Sequence, residues 1–423
     1  MAGGRGRSKA GLSEFVIVFD EASTLFLDGA SPQDAAASLL NGLAGTEIRR
    51  LLPLAERRRL GAFFTPHELA DELAGPLRSA RGDVTVVDPC CGAGDLLLAA
   101  ARALEGSLRE ATVVANFVGV DAVEEFSQVA RMRFELLVRT LGVDVSSHFA
   151  AGDGLSAAGI DDATHVLLNP PFGAVPSHAG CEWAQGRVNG AADFLACTLG
   201  RLRPDTEVWA ILPDVLRSGA RYKRWRAFVE ERLDIDVPEP KGRFDPWTDV
   251  DVFILRGRVR RPGEITPRRA WVPSSAGLTV GERFDVSVGP LVDYRSAREG
   301  PAVPYLVAKD FPAWETIERV ERTRLFSGRL HRGPIVVVSR TSRPGEPHRA
   351  RAALVADTRG IAVENHLLVL RPRNGGVTQC RRLLRLLRSE EVNEWLDGAI
   401  RCRHLTVGAV GSIPWNDGGG SNR

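Results

Sequence analysis

The tetrapeptide Asn169-Pro170-Pro171-Phe172 closes the apolar run Val166-Leu167-Leu168, and it is the part of this 423-residue chain best suited to chemistry. Two consecutive prolines fix φ and remove two backbone donors. What remains is a rigid turn rich in acceptors: the Asn169 side-chain oxygen and the Pro170 carbonyl, with the Phe172 ring beside them. An amino group on an aromatic ring needs such a turn before it can react, because its lone pair is delocalised into the ring. Two acceptors that hold its hydrogens draw the nitrogen towards tetrahedral geometry, while Phe172 stacks on the ring and orients it. The same residues also describe a plain proline-rich turn after a strand. The upstream sequence decides between these readings.

Val86-Val87-Asp88-Pro89-Cys90-Cys91-Gly92-Ala93-Gly94-Asp95 reads as a strand running into a glycine-rich turn and then a helix. Gly92 and Gly94 let the backbone pass close to a ligand. A dinucleotide-binding turn would carry a third glycine at position 97, which is leucine. The turn suits the amino-acid end of S-adenosylmethionine better, with Asp88 near its charged groups. Asp121 directly follows the strand Phe117–Val120, where a carboxylate can accept from both ribose hydroxyls. Asp153, in Ala150-Ala151-Gly152-Asp153, can reach an adenine amino group. Each Asp alone reads as a cap or a solvated turn; the order of the four segments points to a nucleoside cofactor.

These residues need a scaffold that brings strand ends together. Val84–Val87, Phe117–Val120, His165–Leu168, Val208–Leu212 and Val250–Leu255 read as buried strands. Helical patterns over Asp95–Leu104, Glu124–Leu141, Ala191–Leu202 and Arg221–Leu233 fall between them. Such alternation predicts an α/β fold, a doubly wound sheet with ligands at the carboxyl ends of its strands. Residues 1–60 read as an N-terminal helical segment, with 1–10 disordered, a Ser31-Pro32 helix start, and helical apolar spacing over Ala35–Leu40 and Ile48–Leu60. The catalytic domain is expected over 61–260, a Pro/Gly-rich linker over 261–290, a smaller mixed α+β domain over 291–415 and a disordered tail over 416–423. In the smaller domain Pro334–Val338, Ala352–Val355 and His366–Leu370 read as strands, followed by a helix near Gln379–Leu387.

With these motifs in order, the chain resembles the γ-arranged N6-adenine DNA methyltransferases, the group that includes type I modification subunits and solitary type II adenine methyltransferases. The decisive addition is Gly61-Ala62-Phe63-Phe64-Thr65-Pro66, similar to the segment that in this family closes over the methionine end of the cofactor. The resemblance covers roughly 60–256. It implies the Rossmann-like fold of S-adenosylmethionine-dependent methyltransferases and a cofactor site of Phe63, Thr65, Asp88, Gly92, Gly94, Asp121 and Asp153. It implies a catalytic site of Asn169, Pro170, Pro171 and Phe172, with Asn169 outside the cofactor pocket. Leu212-Pro213 matches a later strand-plus-proline of the family. Phe244 falls where the family carries a second aromatic against a flipped base, with Trp247 competing for that role. Cys90-Cys91 departs from the small or polar pair usual there.

Net charge is only +2, but it is unevenly spread. Residues 256–423 hold 29 Lys and Arg against 17 Asp and Glu, a net of +12, which leaves −10 for residues 1–255. A basic half suggests a polyanion partner. Residues 322–351 contain eight Arg and one acid, Glu346, and Arg340 and Arg343 are the chosen candidates for contact with double-stranded DNA. By resemblance this half is a target-recognition domain, and a specificity or restriction subunit is a possible partner. Glu239-Pro240-Lys241 nominally fits a nuclease site, but the proline and the short preceding sequence argue against it. The six cysteines contain no CxxC pair and the eight histidines show no metal-ligand spacing, so no metal is expected. No apolar run approaches the ~18 residues that span a membrane. A cytoplasmic, nucleoid-associated methyltransferase is the expectation. The alternatives are an RNA or protein-glutamine methyltransferase with the same clamp, or a non-catalytic DNA-binding subunit.

Overall fold

A computed structural model of the chain describes residues 2–27, 39–157, 159–265, 267, 269–309 and 311–415. Its contacts divide it into two compact units: Met1–Arg217 with Arg221–Arg269, and Ala270–Arg423 with Ser218–Ala220.

The first unit is built on the strands β1 (Gly82–Asp88), β2 (Val113–Asp121), β3 (Ser146–Ala151), β4 (His165–Leu168), β5 (Ala174–Pro176), β6 (Arg187–Asn189), β7 (Glu207–Pro213), β8 (Leu233–Ile235), β9 (Glu239–Asp245) and β10 (Thr248–Val259). All but the β5–β6 hairpin form one sheet of order β3-β2-β1-β4-β7-β10-β8, with β9 beside β10. β3, β2, β1, β4 and β7 run parallel, and β10 is antiparallel to β7, β8 and β9. The chain leaves β1 towards β2 on one side and returns to β4 on the other, which opens a crevice at their carboxyl ends. Asp88, Asp121 and Asn169 all stand there, because each is the last residue of its strand or the one just after it. Val86, Val87, Phe117 and Val166–Leu168 are fully buried, as continuous apolar strands covered on both faces must be.

The helices of this unit are α1 (Ala2–Leu27), α2 (Leu43–Leu51), α3 (Leu54–Leu60), α4 (His67–Ala74), α5 (Asp95–Arg109), α6 (Glu124–Leu141), α7 (Gly190–Leu199), α8 (Asp214–Ser218) and α9 (Lys223–Arg232). α1 corrects the expectation of disorder over 1–10. Leu12, Phe15 and Phe19 make a buried stripe in the same core as Phe117 and Phe134, and the helix propagates from that docked turn to Ala2. Docking is invisible to a composition reading. The segment Ile48–Leu60 breaks in two at Pro53, which cannot continue α2. The expected Ser31-Pro32 start and residues 35–38 lie outside the described residues, as does the tail 416–423. β3 carries no buried residue, so no apolar run announced it. Glu239 and Lys241 of the nuclease-like tripeptide are paired to each other at 2.7 Å and Lys241 also to Glu72, a structural ion cluster.

The second unit contains a five-stranded mixed sheet of order β11 (Phe284–Val288), β18 (Leu367–Pro372), β15 (Ile335–Ser339), β16 (Ala352–Val355), β13 (Thr316–Ile317). A smaller sheet joins β14 (Thr323–Leu325), β12 (Ala302–Leu306) and β17 (Ala362–Val363). α10 (Val280–Arg283), α11 (Gly376–Leu387), α12 (Glu390–Ala399) and α13 (Val407–Gly411) complete it. Val336, Val338, Leu354 and Leu370 face the core that holds Leu383 and Leu396, while Ile335, Val337, Val355 and Val369 face the opposite core with Phe311. Burial on both faces explains the unbroken Ile-Val-Val-Val run. The segment 280–288, expected within a linker, forms α10 and the edge strand β11, which pairs with β18. Its Asp and Ser positions face outward and hide the strand from an apolar-run reading. Among the described residues no helix is long and apolar enough to cross a membrane.

Candidate active site

The glycine turn after β1 is shaped by carboxylates. Asp88 Oδ1 accepts the Cys90 N–H at 3.0 Å, and Asp121 accepts the N–H groups of Gly92 at 2.8 Å and Val123 at 2.9 Å. Gly92 has φ +51°, and a Cβ there would stand 2.9 Å from the Phe64 ring. Phe64 is held by Phe15 (stacked, 5.8 Å) and Phe126 (edge-on, 5.0 Å), so the aromatic lid of the turn comes from the Gly61–Pro66 segment and the N-terminal helix together. Gly94 answers a different need. It has φ +87° at the start of α5, and a Cβ would lie 3.1 Å from Ala130 of α6. It packs against α6 and does not line the cavity described next.

One cavity is lined by Phe63, Thr65, Asp88, Gly92, Asp121, Asp153 and Asn169, together with Phe64, Asp95, Phe126 and Phe194. The sequence-predicted cofactor residues other than Gly94 therefore converge. Asn169 lines the cavity too, where it was expected outside. Four carboxylates, of which Asp95 is paired with a buried arginine, and no Lys, Arg or His stand among the lining residues. That wall suits a ligand carrying positive charge next to a nucleoside and repels the pyrophosphate of a dinucleotide. The residues thus fit S-adenosylmethionine: its cationic amino-acid end would lie by Asp88 and the glycine turn, its hydroxyls and base by Asp121 and Asp153. Asp153 also caps a short turn by accepting the Leu155 N–H at 3.0 Å.

Burial raises Asp88 to a pKa of about 7, with the charges of Asp121 and Asp95 adding to it and the Cys90 N–H opposing. Asp121 is also raised by burial. A cation in the cavity favours ionised Asp88, so binding a positive ligand expels its proton. Affinity for S-adenosylmethionine is expected to tighten by up to about tenfold per pH unit as pH rises to ~7 and to level off above. Asp88→Asn should flatten the profile. Calorimetry between pH 5.5 and 8.5 checks this, and a flat wild-type profile would remove Asp88 from the ligand's charged end. Asp121→Ala is expected to weaken the cofactor by about 1–3 kcal/mol, since it deprives ligand groups of a charged partner. It also frees the Gly92 N–H. Unchanged affinity by calorimetry without DNA would contradict the placement of β2.

The clamp itself is held by its amide. Asn169 Nδ2 donates to Thr65 Oγ1 at 2.8 Å and to the Phe63 carbonyl at 3.3 Å. With the NH2 so occupied, Oδ1 is the atom left to accept a substrate's hydrogens. Thr65, predicted as a cofactor residue, is thereby also the residue that orients Asn169. A second, wider cavity shares Leu60, Gly61, Phe63, Pro171 and Phe194 with the first and adds Phe172, Phe244 and Trp247. Phe244 is buried and meets Phe172 edge-on at 6.0 Å, whereas Trp247 is 73% exposed at the rim. Asn189 starts α7 by accepting the Ala191 N–H at 3.0 Å and fixes the turn by donating to the Phe172 carbonyl at 2.9 Å. Trp225 is core, its indole donating to the Ala192 carbonyl at 3.0 Å. Burial pushes the Cys90 and Cys91 thiols well up, which disfavours their thiolate forms.

Residues 52–186 match the family described as N-6 DNA Methylase. The match runs from the helix before Gly61–Pro66 into the loop between β5 and β6, so it spans the lid, the glycine turn and the clamp. A curated relative, the type II methyltransferase M.VspI of Vibrio sp. (strain 343), is 30% identical over 119 residues, 28% of this chain and 26% of the relative. The chain thus spans about a quarter of the length of that relative. Among solved structures, the type IIG restriction endonuclease BpuSI aligns with 14% identity and a TM-score of 0.45, over 88% of this chain and 61% of that one. A type I restriction-modification methyltransferase subunit from Streptococcus thermophilus aligns with 19% identity and a TM-score of 0.38, over 57% and 65%. The fold assignment stands on the strand order given above.

The sequence reading missed Arg133. Its guanidinium is fully buried, paired with Asp95 at 2.9 Å, and donates to the carbonyls of Ala93, Leu39 and Leu40. It ties the N-terminal segment and α6 to the glycine turn. An Arg inside an apolar helix face, four residues after Val129, was the signal that could have found it. In the second unit Arg343 is exposed, but Arg340 is half-buried and donates to the Asn365 carbonyl at 2.9 Å. Arg349, in the same Arg-rich stretch, is buried against the end of α12, bonded to the carbonyls of Leu396, Ile400 and Cys402 and to Asp397. It holds helix-terminal carbonyls, so a surface role is ruled out for it.

Proposed function

We propose that this chain is an S-adenosylmethionine-dependent DNA methyltransferase that modifies N6 of a flipped-out adenine, in restriction-modification or phage defence. The observation that carries the reading is the Asn169 amide, whose NH2 donates to Thr65 and to the Phe63 carbonyl in the acidic cavity and so leaves its oxygen to accept, while Phe172 of the same turn lines the neighbouring aromatic cavity. When bound, S-adenosylmethionine supplies an electrophilic methyl group. Asp88, Asp121 and Asp153 hold its polar groups from the strand ends. Asn169 Oδ1 and the Pro170 carbonyl accept the hydrogens of N6, which returns lone-pair density to the nitrogen. Phe172 stacks on the adenine ring and Phe244, edge-on to Phe172, backs it. Positioning of this kind supplies most of the rate, because the attack needs an aligned approach more than proton transfer. Asparagine at the head of the clamp favours adenine over N4 of cytosine.

Sequencing of modified bases in plasmid from a methylation-deficient host, with and without this gene and with an Asn169→Ala control, tests the proposal. N6-methyladenine at a defined site only with the active gene is the expected result. Its absence, together with absence from purified protein supplied with S-adenosylmethionine and mixed plasmid DNA, would overturn it.

DNA is the partner that the basic second unit suits. Arg322, Arg329, Arg332, Arg343 and Arg351 are exposed there, whereas Arg324 and Arg349 are buried. Replacing Arg329, Arg332, Arg343 and Arg351 by Gln in the full chain is expected to weaken binding and to flatten the dependence of log affinity on log salt, by a slope of about one for each phosphate no longer neutralised. An unchanged slope would assign the phosphate-binding face to other residues.

A further inference from the structure

The loop that joins β5 to β6 brings together side chains that no methyl-transfer step uses. His178 and Cys181 lie on that loop and Asp193 on α7, and a ligand atom from each lies within 4.8 Å of the others. All three are half-buried. His178 Nδ1 meets Asp193 Oδ1 at 2.8 Å, and the His178 backbone N–H reaches the same oxygen at 3.1 Å. A second thiol, Cys197, follows Asp193 by one helical turn; its pKa is raised by burial and then by the Asp193 and Cys181 charges. The expectation of no metal rested on the lack of a CxxC pair and of histidines at ligand spacing, and this cluster needs neither. Here His-x-x-Cys supplies two donors and a separate helix the third.

We infer that His178 Nδ1, Cys181 Sγ and an Asp193 carboxylate oxygen form a binding site for a divalent ion of the zinc class. Imidazole, thiolate and carboxylate in one cluster are the donor set of that class, and three protein ligands leave a fourth position to solvent. Bond lengths of about 2.0–2.3 Å put tetrahedral ligand atoms roughly 3.3–3.8 Å apart. The present spacing therefore closes by about an ångström or less, while the 2.8 Å contact opens slightly. On binding, the imidazole proton moves to Nε2, the Cys181 thiol proton passes to solvent, and three metal–ligand bonds form. The ion staples the loop 177–186 to α7. Asp193 also lines the aromatic cavity, so the staple fixes one wall of it. The site is independent of the methyl-transfer reading.

The test is cobalt titration of full-length, untagged protein stripped of metal, followed by optical absorption. One equivalent should bring in a thiolate-to-cobalt charge-transfer band in the near ultraviolet, and zinc should displace it. Cys181→Ser should lose the band and Cys402→Ser should keep it. His178→Ala and Asp193→Asn should each weaken binding by about tenfold or more, as loss of groups around a metal commonly does. Hydrogen exchange of 177–186 should slow when zinc is added to the wild type. No band, or a band that persists in Cys181→Ser, would overturn the site. Exchange that zinc leaves unchanged would overturn the staple.

Discussion

Replacing Asn169 with alanine is expected to lower methyl transfer by at least about 10²–10³-fold, the scale on which loss of one preorganised electrostatic partner is felt. The Asn169 amide donates to Thr65 at 2.8 Å and to the Phe63 carbonyl at 3.3 Å, which leaves its oxygen as the group free to accept. Because Asn169 also lines the acidic cavity, cofactor affinity should shift, but by less than about tenfold, since no charged partner is removed. Thr65→Val keeps the shape and removes the hydroxyl that orients the amide. It should give an intermediate loss in kcat. Single-turnover methylation with calorimetry on the same proteins separates the two effects. If purified Asn169→Ala methylates DNA within tenfold of wild type, the clamp is not the catalytic site.

Arg133→Met is expected to destabilise the first unit by about 3–5 kcal/mol, the usual cost of breaking a buried pair and leaving a charge behind. The Arg133 side chain is fully buried and Asp95 almost so, and three backbone carbonyls depend on the same guanidinium. Its ring contact with Phe19, at 5.9 Å, would also go. The double variant with Asp95→Asn should recover part of the loss, because the stranded carboxylate is then neutral. Urea unfolding of wild type and both variants measures this. A single-variant cost below about 1 kcal/mol would mean that solvent reaches the pair. Loosening of the turn at Ala93 should also weaken the cofactor.

Much of the candidate site was legible in the sequence. Asp88, Gly92, Asp121 and Asn169 each sit at or just beyond the end of an apolar strand, and in a doubly wound sheet the strand ends meet in one crevice, so their order along the chain already implied their meeting in space. The fold class followed from the alternation of buried strands with helices of 3.6-residue period. What a linear reading could not supply were contacts between distant segments and the burial that follows from them. Thr65 turning the Asn169 amide spans 104 residues, Arg133 reaching Leu39 spans 94, and neither leaves a local pattern. β11 and β3 were missed because edge strands need no continuous apolar run. Gly94 shows the same limit, because glycine at a turn looks the same from the sequence whether a cofactor or a neighbouring helix demands the space. The packing of α6 against it appears only in the tertiary structure. Arg349 makes the same point in the second unit: a string of arginines reads as a charged surface, and only the tertiary structure shows one of them turned inward to hold the end of a helix.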